Sequence, residues 1–202
     1  MGHADWAHDL AKELLETTLP RRWAHTQGVA ERAASLTPIL GGEADTLIAA
    51  ALLHDIGYAP DLVDTGMHQL DGARYLRDVV GADDRLCRLV AYHSCADNEA
   101  RQRDLLDVLT AEFRQEQPDL AQALTYCDMT TDPDGRHLDV EDRLTEIHSR
   151  YGRDHVVSRS ISAATPCIVS SVRAVEAALS DVRQAGTGQV AVDPHPHRPV
   201  HE

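Results

Sequence analysis

Apolar side chains return every third or fourth position through most of the chain, and alternation of apolar and polar residues persists nowhere. The stretch "DWAHDLAKELLETTL" (5–19) predicts a first helix stopped at Pro20. "RRWAHTQGVAERAASL" (about 21–36) predicts a second, with His25 and Val29 on one stripe. "GGEADTLIAAALLHDIG" is apolar almost all round, so a third helix is expected at the centre of the fold. Gly57 is its stop signal, and Pro60 prevents continuation. After the connecting loop "YAPDLVDTGMH", helices are expected near 68–80, 83–95 and 98–115. "QPDLAQALTYCDMTTDPDGRHLD" reads as a helix ending near Asp128 and a turn at "DPDG". "DVEDRLTEIHSRYG" is a charged amphipathic helix, and 154–184 a long helical stretch that Pro166 is expected to kink or divide. The pattern therefore predicts an all-α bundle, one domain over 1–185, followed by a disordered tail over 186–202.

Composition narrows the function classes. With aromatics at 4%, the core must be built from Ala, Leu, Val and Ile, which favours closely packed helices. A net charge of −14 repels nucleic acid and anionic membranes and favours a small substrate. Lys12 is the only lysine, so the cationic side is arginine. Cys87, Cys95, Cys127 and Cys167 form no CxxC pair. With no signal peptide and no apolar run near 18 residues, the chain reads as cytoplasmic, its cysteines reduced and serving as small buried hydrophobes.

The chemistry centres on His54 and Asp55, side by side at the end of the apolar helix. Burying such a pair costs several kcal/mol unless a metal or a hydrogen-bonded network compensates it. His25 and Asp128, also on predicted helices, complete a set of two imidazoles and two carboxylates. Such a mixed N/O set suits Fe, Mn, Co, Ni or Mg. The plainer alternative is four unrelated polar groups serving as caps or surface.

The segments "RRWAHTQGVA", "AALLHDIG" and "ALTYCDM" resemble the signature of the HD-domain metal-dependent phosphohydrolase superfamily over about residues 20–130. The resemblance implies a helical bundle around a buried metal held by His25, His54, Asp55 and Asp128, with His54 and Asp55 at the catalytic centre. "GMHQLDGARYL" is similar to the HPxxGAxxL segment of many members, and His93 in "LVAYHSCADNEA" matches the next histidine position. The resemblance then implies that His68 and His93 hold a second ion, with Asp55 as the bridge. Otherwise His68 is a capping or substrate-side residue and His93 a core imidazole. One or two divalent transition-metal ions are expected, Fe or Mn first, with Co, Ni, Mg or Zn compatible. Tyr58 replaces the lysine that many relatives carry after the doublet. Arg21, Arg22, Tyr58, Arg74 and Thr130, with Thr131, are the candidate substrate contacts; the alternatives are a solvated helix start and a post-helix turn. No "GYP" follows His93 and no Glu-Asp pair follows the doublet, which argues against cyclic-dinucleotide and ppGpp hydrolysis.

The function expected from this reading is metal-dependent hydrolysis of a nucleotide or another small phosphate ester, with no nucleic-acid or membrane partner. A diiron oxygenase and a non-catalytic nucleotide-binding module are the alternatives. The helix at 139–151 and the long C-terminal helix offer faces for a homodimer. His3, His8, His137, His148 and His155 read as surface, and His195, His197 and His201 as tail residues that nothing rigid orients.

Overall fold

Central in the computed structural model, which describes residues 3–187, is α4 (Ala44–Leu53), the apolar helix that precedes the His-Asp doublet. The tail expected to be disordered falls, apart from its first two residues, outside the described residues. Seven of the ten α4 residues are buried, because α1 (His3–Leu15), α2 (Pro20–Ala34), α6 (Asp84–Tyr92) and α9 (Pro118–Met129) all pack on it. Ala49, Ala50 and Ala51 carry no bulk to hold these neighbours away. Short α3 (Thr37–Leu40) leads in, α5 (His68–Tyr75) and α7 (Asp97–Gln102) reach the site through His68 and Glu99, and α8 (Leu106–Glu112) packs on α7. The charged α10 (Val140–Tyr151) and the long α11 (Val156–Thr187) close the fold. The protein is all-α: among the described residues an isolated bridge between Thr131 and His137 is the sole strand-like pairing.

Several expected elements differ in detail, each for a local reason. α4 stops at Leu53, and a 3₁₀ turn at Ile56–Tyr58 follows. Gly57 matters less as a stop than as a close approach: a Cβ there would lie 2.0 Å from the His68 carbonyl oxygen. The 68–80 helix widens after Tyr75 into a π-helical turn, Leu76–Val80, that ends on left-handed Gly81. The 98–115 helix is two helices, α7 and α8, broken where Asp104 takes a left-handed φ of 57°. The 83–95 helix gives way after Tyr92 to a tight turn in which Ser94 and Cys95 also have positive φ. Pro166 does not divide α11. It forfeits one backbone hydrogen bond in a helix of 32 residues whose Ala164 and Ile168 are buried on either side of it.

The cysteines correct a second expectation. Cys87 and Cys127 are free and buried, as read from the sequence, but Cys95 and Cys167 form a disulfide. Their sequence separation of 72 follows no local spacing pattern. Pairing arises only because α11 packs over the turn that ends α6. No single helix among the described residues is long and apolar enough to cross a membrane.

Candidate metal centre

Four imidazoles and two carboxylates, all buried, meet around the C-terminal end of α4. His54 follows the last turn of α4, and its Nδ1–H donates to the Ala51 carbonyl at 2.7 Å. His93 repeats the device at the end of α6, with Nδ1–H donating to Val90 O at 2.7 Å. His25, in the middle of α2, donates from Nδ1 to the carbonyl of Asp132 at 2.9 Å. That carbonyl belongs to the predicted "DPDG" turn, which sits against α2 so closely that a Cβ on Gly28 would be 2.3 Å from Gly135 O. Arg21 fastens the same turn through Asp134, at 2.7 and 3.3 Å.

Once Nδ1 is the donor, the neutral ring presents a lone pair at Nε2. His25, His54 and His93 therefore aim acceptor atoms at a space already bordered by carboxylates. His25 Nε2 lies 3.0 Å from Asp128 Oδ1, and His54 Nε2 lies 3.3 Å from Asp55 Oδ2 and 3.9 Å from Asp128 Oδ1. On the other side of Asp55, Oδ1 lies 3.3 Å from His68 Nε2 and 4.0 Å from His93 Nε2. His68 and His93 approach each other to 3.1 Å through Nε2. His54 Nε2 is a buried nitrogen with no hydrogen-bond partner. Acceptors facing acceptors are satisfied by cations, and the donor set fits a divalent metal.

The arrangement falls into overlapping groups. Ligand atoms of His25, His54 and Asp55 lie within 4.8 Å of one another, as do those of His54, His93 and Asp128, and those of Asp55, His68 and His93. Asp55 thus turns one oxygen toward each half of the cluster. All six candidate metal ligands singled out by sequence are brought together.

The electrostatics keep both carboxyls ionised. Burial alone would raise the Asp55 carboxyl, but Arg22, His54 and His68 outweigh it and hold it well below its usual range. Asp128 is likewise lowered against burial by His25, His54 and Arg143. Burial and the nearby His54 and His68 push the His93 imidazole down to about 3, so it stays neutral. For His54 burial opposes the charge, yet Asp55 and Asp128 draw it upward, an indication of how strongly this space favours a cation.

The candidate substrate contacts divide. Arg22 donates to Asp55 Oδ2 at 2.6 Å and lies over the Tyr58 ring, which stacks on His68 with centroids 4.0 Å apart. Arg21 is spent on Asp134 and is largely exposed. Arg74 is not brought to the cluster: it grips Glu112 and reaches Asp64. Thr130 and Thr131 are buried and cap α9 by donating to Tyr126 O and Cys127 O. Two residues escaped the sequence reading. Ser94, held at φ 52°, donates to Asp128 Oδ2 at 2.5 Å and so turns Oδ1 toward the histidines. Arg143 on α10 is buried 3.9 Å from Asp128 Oδ1. Adjacency to His93 was the one signal for Ser94, and Arg143 gave none within a charged helix.

A family model described as the HD domain matches residues 22–131, more than half of the chain. The chain belongs to the HD domain family. No curated protein and no solved structure matches it in the comparisons made. The matched HD domain contains every residue of the cluster but ends before α10 and α11. Those two helices roof the pocket over the cluster, a cavity of about 70 Å³ whose lining includes Arg143, Ile147, Arg150, Tyr151 and Ile161.

Proposed function

We propose that the protein is a metal-dependent phosphohydrolase acting on a small phosphate ester or nucleotide. The observation that carries this reading is the three imidazoles locked by Nδ1–H donation to backbone carbonyls, their Nε2 atoms facing two ionised carboxylates. His25, His54, Asp55 and Asp128 would hold one ion, and His68 and His93, with the second oxygen of Asp55, another. A divalent ion supplies Lewis acidity and lowers the pKa of a water that it binds.

The chain's own contribution is orientation and charge. Asp55 and Asp128 are kept ionised and fixed, the latter by Ser94. Arg22 stands beside Asp55 at the pocket wall, held by its stack on Tyr58, where it offers N–H donors to phosphoryl oxygens. The apolar residues of α10 and α11 that line the pocket limit water around the reacting group and strengthen those contacts.

The test is elemental analysis of protein purified without affinity resin, then a screen of nucleotides and phosphate esters with and without Mn²⁺. Bound transition metal and metal-dependent phosphate release are expected. A metal-loaded protein that consumes O₂ and releases no phosphate would overturn the hydrolytic reading.

A further inference from the structure

Arg143 keeps the side-on edge of its guanidinium unspent at this pocket. Its side chain is 5% exposed, on α10, beyond the matched HD segment. Nη1 donates to Glu146 at 2.7 Å. Nε is buried without any partner, and Nη2 stands 3.9 Å from Asp128 Oδ1, too far for a hydrogen bond. Nε and Nη2 form the side-on edge of a guanidinium, two parallel N–H donors spaced to match two oxygens of one anion. In this protein that edge is the gripping edge elsewhere: Arg21 uses it on Asp134, and Arg74 on Glu112.

The local charge balance asks for the same thing. Glu146 is shared, its other oxygen 3.3 Å from Arg150, so one carboxylate serves two guanidiniums. Asp128 is already committed to Ser94. A buried cation with free donors is costly unless an anion completes it. Arg22, Arg143 and Arg150 line both the pocket over the cluster and a second cavity that His25 also lines. Among the described residues no Asp or Glu lines that second cavity.

We propose that the Nε–Nη2 edge of Arg143 is an oxyanion site for a phosphoryl group of the ligand, bound between α10 and the candidate metal centre. In that role α10, an element outside the matched HD segment, completes the binding site. The choice of phosphoryl rests on the phosphohydrolase reading; the oxyanion site itself rests on the geometry of Arg143.

Inorganic phosphate is the probe, titrated calorimetrically into metal-loaded full-length protein, with bound ions counted in each sample. Arg143→Lys keeps the charge beside Glu146 but loses the side-on pair, and Arg143→Gln loses both. Each is expected to weaken phosphate roughly 10-fold or more while the ion count stays that of the wild type. If Arg143→Gln loses its helical circular dichroism, Arg143→Lys decides. Wild-type protein that does not bind phosphate, or unchanged affinity in Arg143→Lys, would overturn the site. Phosphate binding that depends on Arg143, in a protein that hydrolyses no ester, would leave the site standing and remove the hydrolase reading instead.

Discussion

The guanidinium of Arg22 meets Asp55 Oδ2 at 2.6 Å, on the same oxygen that faces His54 at 3.3 Å. Arg22 does not depend on this contact for its place, since it also lies 3.9 Å from the centroid of the Tyr58 ring. A metal ion bound by Asp55 would therefore compete with Arg22 for one oxygen and leave the guanidinium available to substrate. Arg22→Gln is expected to keep the wild-type ion count and to lower phosphate-ester turnover by roughly 10²-fold. Loss of bound metal in elemental analysis would show that Arg22 instead holds the ligand set together.

The split of Asp55 between two halves of the cluster predicts how ions are lost. His68→Ala or His93→Ala should reduce two ions per chain to one, because His25, His54, Asp55 and Asp128 still offer four side chains. Asp55→Ala should strip both, since it alone turns an oxygen to each half. Losing a direct ligand is expected to cost at least the roughly 10–100-fold in affinity seen for outer partners. One ion in the wild type, unchanged in the His68 and His93 variants, would reduce those histidines to packing or substrate contacts.

Much of this centre was readable before any coordinates. His54 and Asp55 announce themselves by ending an apolar helix, and His25 and Asp128 by lying on predicted helices at family spacing. The parts that were not readable depend on tertiary contact. Arg21 and Arg22 are adjacent in sequence, yet one holds Asp134 and the other Asp55, because neighbouring helix positions face different directions. Arg143 lies in a helix whose sequence is charged throughout, and only the packing of α10 beside α9 and α11 shows that this charge is buried. The disulfide was invisible for the same reason: Cys95 and Cys167 are local strangers joined by the path of α11.

Gly57 offers a test of how His68 is placed. A methyl group there would meet the His68 carbonyl oxygen at 2.0 Å and the Gly72 nitrogen at 2.7 Å, both backbone atoms of α5 that cannot swing aside. Gly57→Ala should cost about 1–3 kcal/mol and selectively weaken the ion assigned to His68. Gly42→Ala, where a Cβ meets nothing within 4 Å, is the control and should leave melting temperature nearly unchanged. Equal melting temperatures for the two variants would mean that α5 yields freely.

The disulfide ties α11, the roof of the pocket, to the turn carrying His93 and Ser94. Across a separation of 72 residues, the loop-entropy account gives it about 4 kcal/mol, within a usual range of about 2–5. Cys167→Ser, or wild type treated with a thiol reductant, should therefore melt several degrees lower. Intact-mass measurement before and after alkylation checks the bond itself. Full alkylation of four thiols without reductant would remove it from the account.

Glu112 predicts a pH dependence away from the metal centre, and explains what Arg74 does in its place. The Arg74 hydrogen bond, joined by Arg77, holds the Glu112 carboxyl below its ordinary value, against the smaller opposing effect of burial. Its side chain is 25% exposed, so the pair is partly screened and amounts to about 1 kcal/mol. Because the folded value is depressed, the unfolded chain binds the proton more readily. The stabilisation is present in full above the unfolded value of about 4.5 and disappears as pH falls through the folded one. Glu112→Gln should therefore be less stable than wild type in urea at pH 7, with the gap closing as the pH falls below 4.5. A gap of the same size at pH 3 and pH 7 would mean that packing against Arg74, not the carboxylate charge, is what Glu112 contributes.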